Sequence, residues 1–138
     1  MRARRDASWI VFYDADCGLC TWLLAGLLAW DHARRLRPVA LASEEARKAL
    51  AALTPQEQMA SWHLLSPAGR RWSAGGALAP LLRLLPGGAL PARLCDRFPG
   101  VVEAGYRWAA GHRSQLGRLV PAGAKRRASA RVLARAVP

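Results

Sequence analysis

The stretch WIVFYDADCGLC, residues 9–20, decides how this chain is read. Its first five residues are apolar at every position and rich in β-branched and aromatic types, the pattern of a short strand buried on both faces. A D-x-D pair, Asp14 and Asp16, follows at once, and a C-x-x-C pair, Cys17 and Cys20, comes straight after it. Beyond Cys17 the apolar spacing turns helical, with Leu23, Leu27 and Trp30 on one stripe and Leu24 and Leu28 beside it. Both pairs therefore sit at a strand-to-helix junction. The carboxylates suggest phosphoryl transfer; the cysteines suggest thiol–disulfide exchange or a metal.

Working outward, LRPVAL (36–41) alternates like a strand, and Pro38, which has no N–H to donate, assigns it to a sheet edge. Ser43 caps a helix expected to run to about residue 53, and TPQE (54–57) is a second helix start with a capping box. SWHLL and RRWS flank SPAG (66–69) as a hairpin. A helix over 77–85, a loop at PGGALP (86–91), a short helix near 92–98 and a longer one near 101–116 complete the ordered part. Strand, helix, strand, helix, hairpin, helix is a βαβ half followed by a ββα half. The fold class is therefore α/β and thioredoxin-like, with a mixed four-stranded sheet and added C-terminal helices. Residues 1–120 are read as this domain with its helical extension, and 121–138 as a flexible basic tail.

At 138 residues the chain is one domain by size. With 52% apolar residues and six Trp it has the material for a packed core. The net charge of +12 is unevenly placed: no Asp or Glu follows Glu103, while eight Lys or Arg do. The stretch AKRRASARVLARAVP can attract an anionic surface. It has no aromatic residue to stack on a base, so no specific nucleic-acid binding is expected. MRARR resembles the start of an export signal, but the apolar run after it is only five residues long. The longest uncharged run, 17–30, is too short to span a bilayer. A cytoplasmic location is expected. There a C-x-x-C in a chain with an odd number of cysteines reads as redox-active or metal-binding.

The aspartates alone match the start of a haloacid-dehalogenase-like phosphatase, with Asp14 as nucleophile and Asp16 as acid. Such a site needs further carboxylates to hold Mg²⁺. The acidic residues after Asp31 are Glu44, Glu45, Glu57, Asp96 and Glu103, and none forms a paired motif at a strand end. A zinc site would need a second half from Cys95, His32, His63 and His112, whose spacing is irregular. The redox reading has local geometry on its side. Two cysteines three apart at a helix start can approach closely enough to bridge, and the unpaired N–H groups there favour an anionic sulfur. Gly18 leaves the approach to Cys17 open, and Leu19 offers a substrate an apolar contact.

YDADCGLC resembles the Asp-x-x-Cys-x-x-Cys signature of the DCC-family thiol–disulfide oxidoreductases, small bacterial proteins with a thioredoxin-like fold. The signature letters fall on Asp14, Cys17 and Cys20. The strand before it, LRPVAL, the hairpin with SAGGAL and YRWAAGHRSQLGR (106–118) are similar to family features too, so the resemblance covers about 9–118. It implies disulfide reduction or oxidation on substrates the family leaves undefined. One departure from thioredoxins proper is that QMASWHLL has no proline ahead of the third strand.

On this reading Cys17 is the nucleophile and Cys20 the resolving thiol. The substrate carries a disulfide, an external thiol reductant resets the pair, and no cofactor is expected, since no G-x-G-x-x-G follows a strand. Two roles stay open to Asp14: accepting the proton of Cys20, or capping the helix start. Cys95 reads as a buried free thiol and His112 as a surface residue. The alternative function is a non-catalytic thioredoxin-like binding module whose basic tail contacts an anionic partner.

Overall fold

The structure is a computed structural model, and it describes residues 8–136; the basic residues 1–5 read as a possible signal start lie outside them. Strand β1 (Trp9–Tyr13) pairs in parallel with β2 (Leu36–Ala40) and antiparallel with β3 (His63–Leu65), which pairs antiparallel with β4 (Arg71–Ser73). The sheet order is β2-β1-β3-β4. The uniformly apolar strand is central, and Pro38 lies on the edge strand, opposite Val11.

Because side chains alternate along a strand, β1 feeds two cores. Val11 and Tyr13 join Leu36 and Leu64 under helix α1 (Gly18–Trp30), which contributes Leu24, Ala25 and Leu28. On the other face Phe12 packs with Val39, Leu41 and Ala46 of α2 (Glu44–Ala49), and with Leu50. Both sides of the sheet are thus covered, as its parallel half requires.

The caps follow their sequence signals. Ser43 accepts the Ala46 N–H, and Thr54 and Glu57 close a capping box on α3 (Pro55–Ala60). A single 3₁₀ turn (Ala74–Ala77) leads into α4 (Leu78–Arg83). Helix α5 (Ala89–Arg97) begins inside the expected loop, because Pro91 falls in its first turn, where no N–H is needed. The single long helix expected near 101–116 is two, α6 (Pro99–Gly111) and α7 (Arg113–Arg118), broken at His112.

The main correction concerns the C-terminus. Residues 121–138 were read as a flexible tail, yet Ala122–Ala136 form helix α8, which packs on α1 and β2. Ala128 and Val132 enter the main core, and Val132 is 1% exposed. One helical step further, Arg135 donates to the buried carboxylate of Asp31 at 2.7 Å and to the carbonyls of Leu28 and Leu36 at 3.1 Å. Asp31 also accepts the N–H groups of Arg35 and Leu36. The cations expected to lie free on a tail divide by face: Arg126, Arg127 and Arg131 are exposed, whereas Arg135 is a buried anchor.

His63 is a structural residue. Its Nε2–H donates to the Gln58 carbonyl at 2.9 Å, and its Nδ1 accepts from the Ser73 hydroxyl at 2.6 Å, which fixes a neutral tautomer. Burial, aided by the charge of Arg71, holds it below its ordinary value, against a smaller upward pull from the Gln58 carbonyl. The unfolded chain therefore binds the extra proton more readily. The stability this residue contributes is complete above the unfolded value, near 6.5, and is lost as pH falls towards the lower folded value. Urea unfolding at about pH 7.5 and about pH 5.5 is expected to show a loss at the lower pH, and His63→Gln to show a smaller one.

Candidate active site

Asp14 directly follows the central strand, and its backbone and side chain shape the turn into α1. Its carbonyl accepts the Cys17 N–H at 3.2 Å, and Oδ1 accepts the Asp16 N–H at 3.0 Å. Cys17 then stands at the N-cap position in an extended conformation, φ −97° and ψ 108°. Its sulfur accepts the Cys20 N–H at 3.2 Å, taking the part an Asp or Ser oxygen usually plays. Thr21 returns both its N–H and its hydroxyl to the Cys17 carbonyl, at 3.1 Å each. The first turn is thereby held around the two sulfurs, and both cysteines are free thiols, half-buried.

The two thiols differ in surroundings. Burial, then the hydrogen bond and negative charge of Cys17, and last the charge of Asp14, push Cys20 up to about 12, with Arg113 acting the other way. Cys20 thus keeps its proton while Cys17 is free. Cys17 opens onto a cleft of about 310 Å³, whose floor is Cys17, Gly18 and Leu19.

The far wall of that cleft comes from parts of the chain to which the sequence reading assigned no chemistry. Arg113, Ser114 and Arg118 reach it from α7, and Lys125 from α8. Arg113 Nη1 lies 3.7 Å from Asp14 Oδ2, a loose and partly exposed pair. The Lys125 side chain lies across the helix start: a Cβ placed on Gly18 would stand 3.1 Å from its Cδ and 3.6 Å from its Nζ. Gly18 is therefore matched to a lysine as well as leaving the nucleophile open. The one signal that could have led to these residues is the resemblance of 106–118 to family features; nothing in the local pattern around Lys125 points to the cysteines.

Tyr106 lies close enough to Cys20 to feel its charge. Burial raises it first, and the Cys20 charge adds to that, against a hydrogen bond with the Trp62 backbone. With Trp62, Leu78 and Val102 it lines a separate apolar hollow. Gly75 is needed beside that hollow, because a Cβ there would lie 2.6 Å from the Glu103 carboxylate, which accepts the Gly75 N–H.

The remaining candidates fall elsewhere. Asp16 is exposed on the cleft rim. Cys95 packs half-buried against the main core. His112 bonds the Trp108 carbonyl at 2.7 Å and stacks on the Trp108 ring. His32, His63, His112 and Cys95 are not brought together with Cys17 and Cys20: among the described residues no three His, Cys, Asp or Glu side chains form a group able to hold a metal. Among the described residues no helix is long and apolar enough to cross a membrane.

A βαβ–ββα sheet with a C-x-x-C at the start of its first helix defines a thioredoxin-like dithiol protein. Residues 11–119 match the DCC1-like thiol-disulfide oxidoreductase family, and the chain belongs to that family. Comparison with curated proteins and with solved structures gives no match. All of α8, Lys125 included, lies beyond the matched stretch.

Proposed function

We propose that the protein exchanges its Cys17–Cys20 dithiol with substrate disulfides in the cytoplasm, an external thiol reductant restoring the pair. The Cys17 thiolate attacks one sulfur of the substrate. A Cys17–substrate disulfide forms, the substrate S–S bond breaks, and one half leaves as a thiolate. Cys20 then attacks Cys17 Sγ, forming the intramolecular disulfide and releasing the second half. The dithiol loses two electrons and two protons, and the substrate takes up both.

The observation that carries this reading is the inequality of the two sulfurs: Cys17 faces a cleft while Cys20 is held protonated behind it. The inequality is also timed. One of the influences that raise Cys20, the negative charge of Cys17, exists only while Cys17 is an anion. Once Cys17 is in the mixed disulfide that charge is gone, and Cys20 ionises more easily at the step that needs its thiolate.

Asp14 is the proton acceptor we assign to Cys20. It is the only carboxylate among the described residues seen to act on Cys20, and its hold on Arg113 is loose enough to release an oxygen. Asp14→Asn should therefore slow release of the second half by about 100-fold, the usual scale for losing a general base. The first attack should change far less. Single-turnover kinetics with a chromogenic disulfide resolves the two steps. An unchanged second step would reduce Asp14 to the turn-forming role its Oδ1 already fills.

The competing reading, a non-catalytic module, rested on a free basic tail. That segment is a helix anchored by Val132 and Arg135, and its Lys125 lies against Gly18 in the cleft that Cys17 lines, which supports a role in the dithiol site. Exposed Arg126, Arg127 and Arg131 still give it an outer face attractive to anionic surfaces.

A further inference from the structure

We propose that the cleft beside Cys17 selects disulfides carrying a carboxylate or another anionic group close to the sulfur, with Arg118 and Lys125 as the groups that receive it. This rests on the thiol–disulfide reading and names its substrate class. Of the charges lining the cleft, Asp14 and Arg113 are paired with each other. That leaves Asp16 on the rim against Arg118 and Lys125, neither of which has an ion-pair partner among the described residues.

Lys125 is the more telling of the two. A lysine at a helix surface usually extends into water, yet this one is half-buried with its stem laid against Gly18. Its ammonium is thereby brought to the helix start that carries the nucleophile. A cleft of about 310 Å³ has room for one amino-acid-sized half of a disulfide. Leu19 offers an apolar contact for the carbon next to sulfur, and the two cations line the same cleft. Arg118 and Lys125 come from different helices, so an anion between them would be held from two sides.

The test uses three small symmetric disulfides of similar length and different charge: 3,3′-dithiodipropionate (anionic), bis(2-hydroxyethyl) disulfide (neutral) and cystamine (cationic). The reduced full-length protein is mixed with each, and the rate constant of the first attack is measured at low and high salt. The anionic probe is expected to react about tenfold faster than the cationic one at low salt, the gap narrowing at high salt. The variant carrying both Arg118→Gln and Lys125→Gln should lose most of that gap, read as the ratio of the anionic to the cationic rate so that any change common to all three probes cancels. Arg93→Gln, an exposed cation on α5 away from the cleft, should leave the gap intact.

Equal rates for all three probes in the native protein would overturn the proposal. So would a gap that survives the double substitution, or one that Arg93→Gln reduces as much, because the attraction would then belong to the whole molecule's charge. Failure of all three probes to react would overturn the thiol–disulfide reading and the selectivity with it. A normal rate with the neutral probe and no charge preference would overturn the selectivity alone.

Discussion

Cys20→Ser protein mixed with a disulfide substrate is expected to stop at a stable mixed disulfide on Cys17, one adduct per chain, while Cys17→Ser shows no exchange above the uncatalysed rate. The expectation comes from the order of the two residues at the helix start. Cys17 is the cap residue, with its sulfur on the cleft and an N–H directed at it. Cys20 is one turn further in and is pushed up to about 12, so at neutral pH it is no nucleophile until Cys17 has reacted. Removing Cys20 leaves the first step intact and deletes the second. Removing Cys17 deletes both. Mass spectrometry of the two variants after a disulfide challenge checks this, and an adduct on Cys20 in the Cys17→Ser protein would reverse the roles.

Arg135→Met should lower the unfolding free energy by about 3–5 kcal/mol, the usual cost of leaving one member of a buried ion pair without the other. For a domain of this size that is a large share of a total of about 5–15 kcal/mol. The Asp31 side chain is 0% exposed and that of Arg135 11%. After the substitution the carboxylate keeps the N–H groups of Arg35 and Leu36 but has no counter-charge. Adding Asp31→Asn should recover part of the loss, since the uncompensated charge is then gone. Truncation after residue 121 should cost more than Arg135→Met, because Ala128 and Val132 leave the core as well and the face of α1 they cover is exposed. Urea denaturation measures all three. A truncated protein as stable as the full chain would mean that α8 does not hold the domain together.

That last outcome is the one the sequence reading had expected, and the reason it differs from the structure is physical. Helix α8 buries through a narrow stripe, Ala128, Val132 and Arg135, in which one residue is small and another is charged. In a segment of Arg and Ala such a stripe looks like a solvated face. The stronger signal lay in the partner: GLCTWLLAGLLAW is apolar almost all the way round, and a helix of that kind needs covering on more than one side. The central strand was legible because every residue of WIVFY is apolar, and the edge strand because Pro38 cannot donate. TPQE and Ser43 were legible because capping is a local interaction.

The site divides in the same way. Asp14, Cys17 and Cys20 lie within seven residues, so chain geometry alone brings them together. Arg113, Arg118 and Lys125 arrive from about a hundred residues away, through the packing of α7 and α8 on α1. No spacing rule encodes that approach. The break at His112 belongs to the same class: it splits what reads as one helical stretch and begins α7 with Arg113, the residue that pairs with Asp14.

The central claim, that Cys17 and Cys20 form one two-electron redox pair, is tested most directly by equilibrating the full-length protein across a series of thiol–disulfide buffers, trapping free thiols with an alkylating reagent and mapping the products by mass. The predicted result is a single transition fitting a two-electron couple. It links Cys17 to Cys20 with the loss of two hydrogens and leaves Cys95 alkylated at every poise. Continued alkylation of both Cys17 and Cys20 under the most oxidising buffer, or a disulfide that includes Cys95, would contradict it.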